Sequence, residues 1–301
     1  MARKVVVRAL RETIEIPEGH SFRIIRWARN LKEVEVILGN GSARRVAGEG
    51  IHWHHHPEME MTWFRTGQGT RFVGDHIGSF EPEDLVLLGG NLPHYWHADG
   101  KSSGLSVQWH FPPGHPFWSF PENLEIAGGF RCAERGLRLS GDAARTMAAC
   151  LERISQAKGA LRLSALMELF SMVAAAKESE VEVLSSRSFG PGASRYQPAI
   201  AKAVRYLVAN FREEVRLEDL LKLTGMSRPT FARQFKAHSG RSFSEFMNGI
   251  RLQAACRELA ETDRSVLEIS LDCGFNQISF FNRVFRREKG CSPREYRGGR
   301  N

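Results

Sequence analysis

The chain has 301 residues, 42% of them hydrophobic, and a formal net charge of +8. That length suits about two domains, and no apolar run approaches the roughly 18 residues of a membrane helix. Its five cysteines, Cys132, Cys150, Cys256, Cys273 and Cys291, are scattered and form no CxxC pair, which excludes a disulfide framework or a zinc-finger pattern and leaves most of them as small buried hydrophobes.

The N-terminal "MARKVVVRALRETIEI" has only a short apolar patch, broken by Arg8 and Arg11. It is too brief for a secretory signal, so a cytoplasmic location is expected. Residues 1–135 are rich in Gly, Pro, His and Trp, with short runs such as "EMEMTWFR" (58–65), "TRFVGD" (70–75), "DLVLL" (84–88) and "GLSVQWHF" (104–111). Short strands separated by turn residues point to a β-sandwich or barrel.

Within this region lies "HWHHHPEME" (52–60). In a strand, residues two apart share a face, so His54 and His56 point together and His55 points away. Glu60 follows four residues after His56, and a second island, "EDLVLLGGNLPHYWH" (83–97), brings His94 after a strand and a Gly-Gly-Asn turn. Three imidazoles and one carboxylate are a sufficient ligand set for Zn, Ni, Fe or Mn, with positions left open, while the lack of thiolate disfavours soft-metal sites. The competing readings are a satisfied polar network and a metal-free pocket for a polar effector. His52 and His55 are flanking residues, and Glu58 rivals Glu60. Trp53, Trp63, Tyr95, Trp96 and Trp109 suit a core. Thr62, Trp96, His97 and Trp109 are the candidates for an effector pocket, where an aromatic wall beside polar groups would suit a sugar ring.

The period changes near residue 140. Met147, Leu151 and Ile154, then Leu163, Leu166, Leu169, Phe170 and Val173, recur at helical spacing with a break at Lys158-Gly159. Residues 136–178 are therefore expected to form a helical hairpin that packs on the barrel, on itself or on a second subunit, and to mediate dimerisation. Residues 179–197 lose periodicity and contain Ser, Gly and Pro, so they are expected to be a linker.

Residues 198–301 look helical throughout. From residue 196 on there are roughly 19 Lys/Arg against 12 Asp/Glu, whereas the first 195 residues are close to neutral. A basic third on a neutral body suggests an anionic partner, nucleic acid first. Two segments share one plan. In 216–240, Leu217, Leu220, Leu221 and Leu223 form an apolar face, Gly225 turns, Ser227 caps, Pro229 starts the next helix, and Phe231 and Phe235 anchor it. In 264–290, Val266, Ile269 and Leu271 face inward, Gly274 turns, and Phe281 and Phe285 anchor. A long helix capped by Ser242 or Ser244 joins them. The polar remainder comprises Arg228, Thr230, Arg233 and Lys236 in the first unit and Gln277, Ser279, Asn282, Arg283, Arg286 and Arg287 in the second. Two helix-turn-helix units on one rigid chain suit two successive major-groove segments of double-stranded DNA.

These residues carry a resemblance. "SVLEISLDCGFNQISFFNRVFRREKGCSPREYR" (265–297), with Gly274-Phe275, Phe281, Phe285, Gly290, Pro293 and Tyr296-Arg297, and "GMSRPTFARQFKAHSGRSFSEFMNGIRLQAA" before it, resemble the tandem helix-turn-helix domain of AraC/XylS-type transcriptional regulators. The resemblance places base-facing positions at Pro229, Ala232 and Arg233 and at Ser279, Phe280, Asn282 and Arg283. Pro229 and Ala232 cannot make bidentate base contacts, so the first unit would read through Arg233, Thr230 and thymine methyls, or act as a backbone clamp. Residues 1–135 resemble the cupin superfamily. Gly48, His54, His56, Glu60 and Gly67 fit its first motif; His94 fits the second, where Glu83, Gly89, Asn91 and Ala98 occupy other marked positions.

The resulting expectation is an α+β chain: a cupin-like sensor (1–135), a hairpin (136–178), a linker (179–197) and an all-α DNA-binding domain (198–301). It would act as a homodimeric transcription regulator, not an enzyme, controlled by a small-molecule effector, with a carbohydrate as one candidate. RNA polymerase would be a partner if it activates. The alternatives are a metal-dependent dioxygenase or isomerase fused to a DNA-binding domain, or a direct metal or redox sensor.

Overall fold

The computed structural model describes residues 13–47, 52–190 and 194–299. It divides at residue 194 into two compact units. Gly48 of the expected cupin motif, and residues 191–193 of the expected linker, lie outside the described residues.

The N-terminal unit is built on strands β1 (Phe22–Trp27), β2 (Glu33–Ile37), β3 (Ala43–Ala47), β4 (Met59–Thr66), β5 (Gly69–Val73), β6 (His76–Phe80), β7 (Asp84–Leu88), β8 (His94–Ala98), β9 (Ser103–Trp109), β10 (Leu137–Leu139) and β11 (Val181–Val183). Antiparallel pairing gives one large sheet in the order β11-β10-β7-β4-β9-β1-β2-β3 and a small sheet in the order β6-β5-β8. The described strands therefore form two sheets, not a ring of continuous pairing. Outside the named strands, His54 bridges to His94, with His94 N–H on the His54 carbonyl at 2.9 Å and the reverse bond at 3.2 Å.

Both faces of the central strands of the large sheet are covered, and strand parity decides which residue meets which cover. Ile24, Met61, Leu85, Leu105, Val107 and Trp109 face the helices α1 (Ile126–Cys132), α2 (Gly141–Gln156) and α3 (Gly159–Ala175). Phe170 is fully buried there, 4.8 Å from the Trp109 ring and 5.1 Å from Phe130. Ile25, Trp27, Phe64, Val86 and Leu88 face the small sheet and its Val73, Phe80 and Trp96. Arg71 of β5 reaches across to Asp84 of β7 at 2.5–2.6 Å, and Arg138 of β10 joins the same carboxylate at 3.0 Å. This ion network ties the two sheets together.

Two expectations here need correction. Leu163 is 44% exposed, and the buried face of α3 begins instead at Arg162, followed by Ala165, Leu166, Leu169, Phe170 and Val173. That is the 3.6-residue spacing, and Leu163 lies off it. Arg162 is held inside by its bond to the Ile37 carbonyl at 2.7 Å and by the Phe22 ring.

The first part of the expected linker is docked on the N-terminal unit. Val181–Val183 pairs with β10 in register Leu137↔Val183 and Leu139↔Val181. Leu184 then enters the inter-sheet core, and Ser185 and Ser186 bond Asp75, with the Ser186 N–H at 2.8 Å. A short alternating Val-Glu-Val run carried a strand signal that the flanking Ser and Gly residues masked.

The second unit contains α4 (Gln197–Asn210), α5 (Leu217–Thr224), α6 (Arg228–Ser239), α7 (Phe243–Glu261), α8 (Val266–Asp272), α9 (Ile278–Lys289) and α10 (Pro293–Gly298). Ser242 starts α7 with a reciprocal capping box to Glu245, and Ser265 and Ser292 do the same with Glu268 and Glu295. The turn from α8 to α9 needs Gly274: φ is +85°, and a Cβ would sit 2.7 Å from the Phe211 carbonyl oxygen. Leu271, expected to face inward, is half exposed. The inward face of α8 and its C-cap is Val266, Ile269, Ser270 and Cys273, and Leu271 falls off that stripe. Burial pushes the Cys273 thiol up to about 12, which makes it a packing residue.

Candidate metal centre and nucleic-acid interface

His54, His56 and His94 come together although two are on a loop and one is at the start of β8. A ligand nitrogen from each lies within 4.8 Å of the others, and all three side chains are buried. Gly90 allows the two segments to approach, since a Cβ there would overlap the Pro57 carbonyl, and the Asn91 N–H reaches the His56 carbonyl at 2.7 Å.

Each imidazole is oriented by main chain. Nδ1 of His54 meets the His52 carbonyl at 2.6 Å, that of His56 the Glu58 carbonyl at 3.1 Å, and that of His94 the Leu92 carbonyl at 2.8 Å. A carbonyl only accepts, so each Nδ1 carries a proton, and each ring is held with its Nε2 as the nitrogen left for a ligand or the carboxylate. Such back-side bonding is how metal-ligating histidines are held.

Glu60 completes the group. Its Oε2 lies 3.2 Å from His56 Nε2 and 3.9 Å from His94 Nε2, accepts from the Gln108 amide at 2.7 Å, and its Oε1 accepts from Thr62. Burial alone would push this carboxyl up. The His56 hydrogen bond, the charges of His94 and His56, and the Gln108 bond outweigh it and hold Glu60 well below the usual range. His94 is pushed well below its ordinary value, first by burial and then by its neighbour His54. Buried His94 Nε2 has no hydrogen-bond partner. Three imidazoles, one ionised carboxylate and an orphaned inward nitrogen fit Zn, Ni, Fe or Mn.

The centre opens into a cavity between the sheets of about 40 Å³, lined by Trp27, Phe64, Thr62, Trp96, Ser106 and Gln108 among others. It is far below the ~300–1,000 Å³ of drug-sized clefts, so as it stands it suits an ion with its waters or a ligand of few atoms.

In the second unit the candidate DNA-contacting side chains lie on the outer surface. Arg228, Arg233 and Lys236 on α6 are exposed and Thr230 is half-buried; Gln277 at the N-cap of α9, and Ser279, Asn282, Arg283, Arg286 and Arg287 on α9, are exposed. Phe231, Phe235, Phe281 and Phe285 are fully buried beneath them. Arg283 lies over the Phe280 ring at 5.3 Å, whereas Arg287 is paired with Glu288. Ser227 occupies the N-cap of α6, but its hydroxyl bonds Thr230 and caps no N–H.

Residues 220–299 match the family model of a helix-turn-helix domain. The HTH-type transcriptional activator RhaS of Salmonella paratyphi B is 34% identical over 258 residues, covering 82% of this chain and 88% of that protein. The chain belongs to the AraC/XylS family of transcriptional regulators. A RhaS from Salmonella arizonae is 27% identical over the same share of both chains. A solved AraC-type regulator from Chromobacterium violaceum is 33% identical, covering 35% of this chain and 93% of that one, with a TM-score of 0.33. This AraC/XylS regulator is thus a DNA-binding protein, and among its described residues no helix is long and apolar enough to cross a membrane.

Of the effector-pocket candidates in this regulator, Thr62 and Trp96 line the cavity. Trp109 and His97 do not. Trp109 has the parity of Leu105 and Val107 and packs against the helices, and His97, one residue out of phase with Trp96, bonds Tyr95. Sequence reasoning missed Trp27, Ser106 and Gln108. In "LSVQW" the signal was present, because Ser106 and Gln108 alternate with the apolar positions and face the cavity. His52 contributes its backbone carbonyl, and Glu58 presents its carboxylate to Nδ1 of His56, 3.5 Å away, on the side opposite Nε2.

Proposed function

We propose that this AraC/XylS regulator uses the His54–His56–Glu60–His94 centre to sense a small polar ligand, with a divalent ion held by those four residues, and that the sensed state alters its binding to DNA. One observation carries this reading: three buried imidazoles, each fixed at Nδ1 by a backbone carbonyl, bring ligand nitrogens within 4.8 Å of one another near the ionised Glu60 and a small cavity. The ion would take up the unpartnered His94 Nε2 and balance the buried charge of Glu60. A polar network satisfied internally would not leave His94 Nε2 without a partner.

Two facing antiparallel sheets around the centre support the cupin reading, with α2 and α3 packed on the other face of the large sheet. Leu161 and Leu163 of α3 are 74% and 44% exposed, which supports this hairpin as the homodimer contact. DNA reading falls to Thr230, Arg233, Ser279, Asn282 and Arg283, with Arg228, Lys236, Gln277, Arg286 and Arg287 on phosphates or flanking positions. The relatives are named activators, which favours activation in contact with RNA polymerase over repression. Two conformations with different ligand affinity are required for such a switch.

The small cavity gives weight to a second reading, in which the ion itself is the signal. Operator binding by the full chain, measured by fluorescence anisotropy across a divalent-ion titration and then an effector titration, separates the two. An ion that alters affinity by itself makes the protein a metal sensor; an ion that is silent until a ligand is added makes it a ligand sensor. If neither alters affinity, the sensing role is lost.

A further inference from the structure

The cavity walls contain polar atoms that no protein group satisfies. Trp27 and Trp96 are 3% and 5% exposed, both line the cavity, and neither indole N–H has an acceptor. Ser106 Oγ, on the adjacent strand face, is also unpaired. Gln108 donates its amide to Glu60, which leaves its Oε1 as an unpaired acceptor. These atoms follow a pattern. An indole N–H only donates and Ser106 donates readily, so one set calls for acceptor oxygens, whereas Gln108 Oε1 calls for a donor. Buried groups of this kind are normally paired, and when several share one cavity the missing partner is a ligand or ordered water.

Cross-strand register orders the groups. On the inward face of the large sheet, Arg23, Gln108 and Glu60 form one row, Ile25, Ser106 and Thr62 the next, and Trp27, Gly104 and Phe64 the third. The row nearest the imidazoles presents the acceptor, and the rows beyond present the hydroxyl and an indole. Trp96 belongs to the facing sheet, with its ring 5.6 Å from His94. The charges agree with an anionic ligand. Arg23, a buried cation, stands two strands from Glu60 in the same row. A divalent ion on three neutral imidazoles and one carboxylate would leave the centre positive.

We infer that the cavity receives a short hydroxycarboxylate, its carboxylate accepting from the Trp27 and Trp96 indoles and Ser106, and its hydroxyl donating to Gln108. This rests on the sensing role proposed above and narrows its ligand class. A polyol fits less well, because each of its oxygens brings a hydrogen, and the two indoles offer no acceptor for it. The cavity volume limits the ligand to a few heavy atoms.

The test uses tag-free full-length protein, with and without a divalent ion, and lactate and propane-1,2-diol as probes of similar size but different charge. Binding is measured by calorimetry and by tryptophan emission, which reports only on the N-terminal unit because all six tryptophans fall between residues 27 and 118. Lactate is expected to bind at least ten times more tightly than the diol. Trp27→Phe and Trp96→Phe, which keep a ring and remove the N–H, are each expected to weaken lactate about tenfold, and Trp109→Phe, on the opposite sheet face, to leave it unchanged. Equal or tighter binding of the diol, no binding of either probe, or insensitivity to both indole variants overturns the inference. Failure to take up any ion sinks the metal reading separately, and the lactate comparison in ion-free protein then decides the ligand class by itself.

Discussion

His56 Nε2 lies 3.2 Å from Glu60 Oε2, while the Nδ1 of the same ring is bonded to the Glu58 carbonyl. With its one proton on Nδ1, a neutral His56 would turn a lone pair against a carboxylate inside the protein. A positive charge must sit between them, either a second proton on His56 or a metal ion.

Metal content distinguishes the two. Full-length protein purified without a histidine tag is expected to bind one divalent ion per chain, and His94→Ala or Glu60→Gln to weaken it by at least tenfold. His55→Ala, outside the three-imidazole cluster, is expected to keep the ion. Elemental analysis after dialysis against defined metal buffers decides this.

Acid is expected to destabilise the ion-free N-terminal unit. Glu60 is held below its ordinary value when folded, so its ionised form stabilises the fold at neutral pH, and this is lost as pH falls through the folded value. His94 is also held low, so the unfolded chain takes up the proton first and stability declines as pH drops below about 6.5. Both act in the same direction. Denaturant midpoints by tryptophan emission in chelator should fall from pH 7.5 to pH 5.5, and less in His94→Gln. Equal midpoints would refute the assignment.

The helix-facing core is expected to be independent of the centre. Phe170→Ala should cost about 3–5 kcal/mol of unfolding free energy, because the ring is fully buried among Trp109, Phe130 and Phe117. A cost below 1 kcal/mol by equilibrium denaturation would mean that α3 does not pack as described.

Much of this was legible in the sequence. Helical spacing and the paired phenylalanines at 231/235 and 281/285 located both helix-turn-helix units, and two-residue alternation separated His54 and His56 from His55. What sequence missed has a shared cause. The central strands β1, β4, β7 and β9 are buried on both faces, so polarity no longer distinguishes inside from outside there, and Trp109 was placed in the cavity that Gln108 occupies. Arg162 and the docked segment after β11 escaped notice because a buried arginine and a serine-rich strap are held by partners far away in sequence, among them Ile37, Phe22 and Asp75.

That strap gives a further prediction. Asp75 accepts from the Ser186 N–H and from both serine hydroxyls, while Leu184 packs in the core with Leu92, whose carbonyl holds His94. Asp75→Ala is expected to raise amide exchange at Ser186 at least tenfold while β4 and β9 stay protected. Unchanged exchange there would show that the strap is held without Asp75.

On the DNA side, Arg283→Ala should cost about 1–3 kcal/mol on a cognate site and relax specificity at one base pair, whereas Lys236→Ala should weaken all sequences alike and lower the salt dependence. Binding curves on cognate and scrambled duplexes distinguish these outcomes.

The most direct test of the central claim is the affinity of the full chain for a duplex selected on it, measured by anisotropy with the centre empty, ion-loaded, and ion-loaded with ligand. The account predicts a change of at least about fivefold between two of these states, absent in His94→Ala. Identical affinity in all three states, with the ion demonstrably bound, would contradict it.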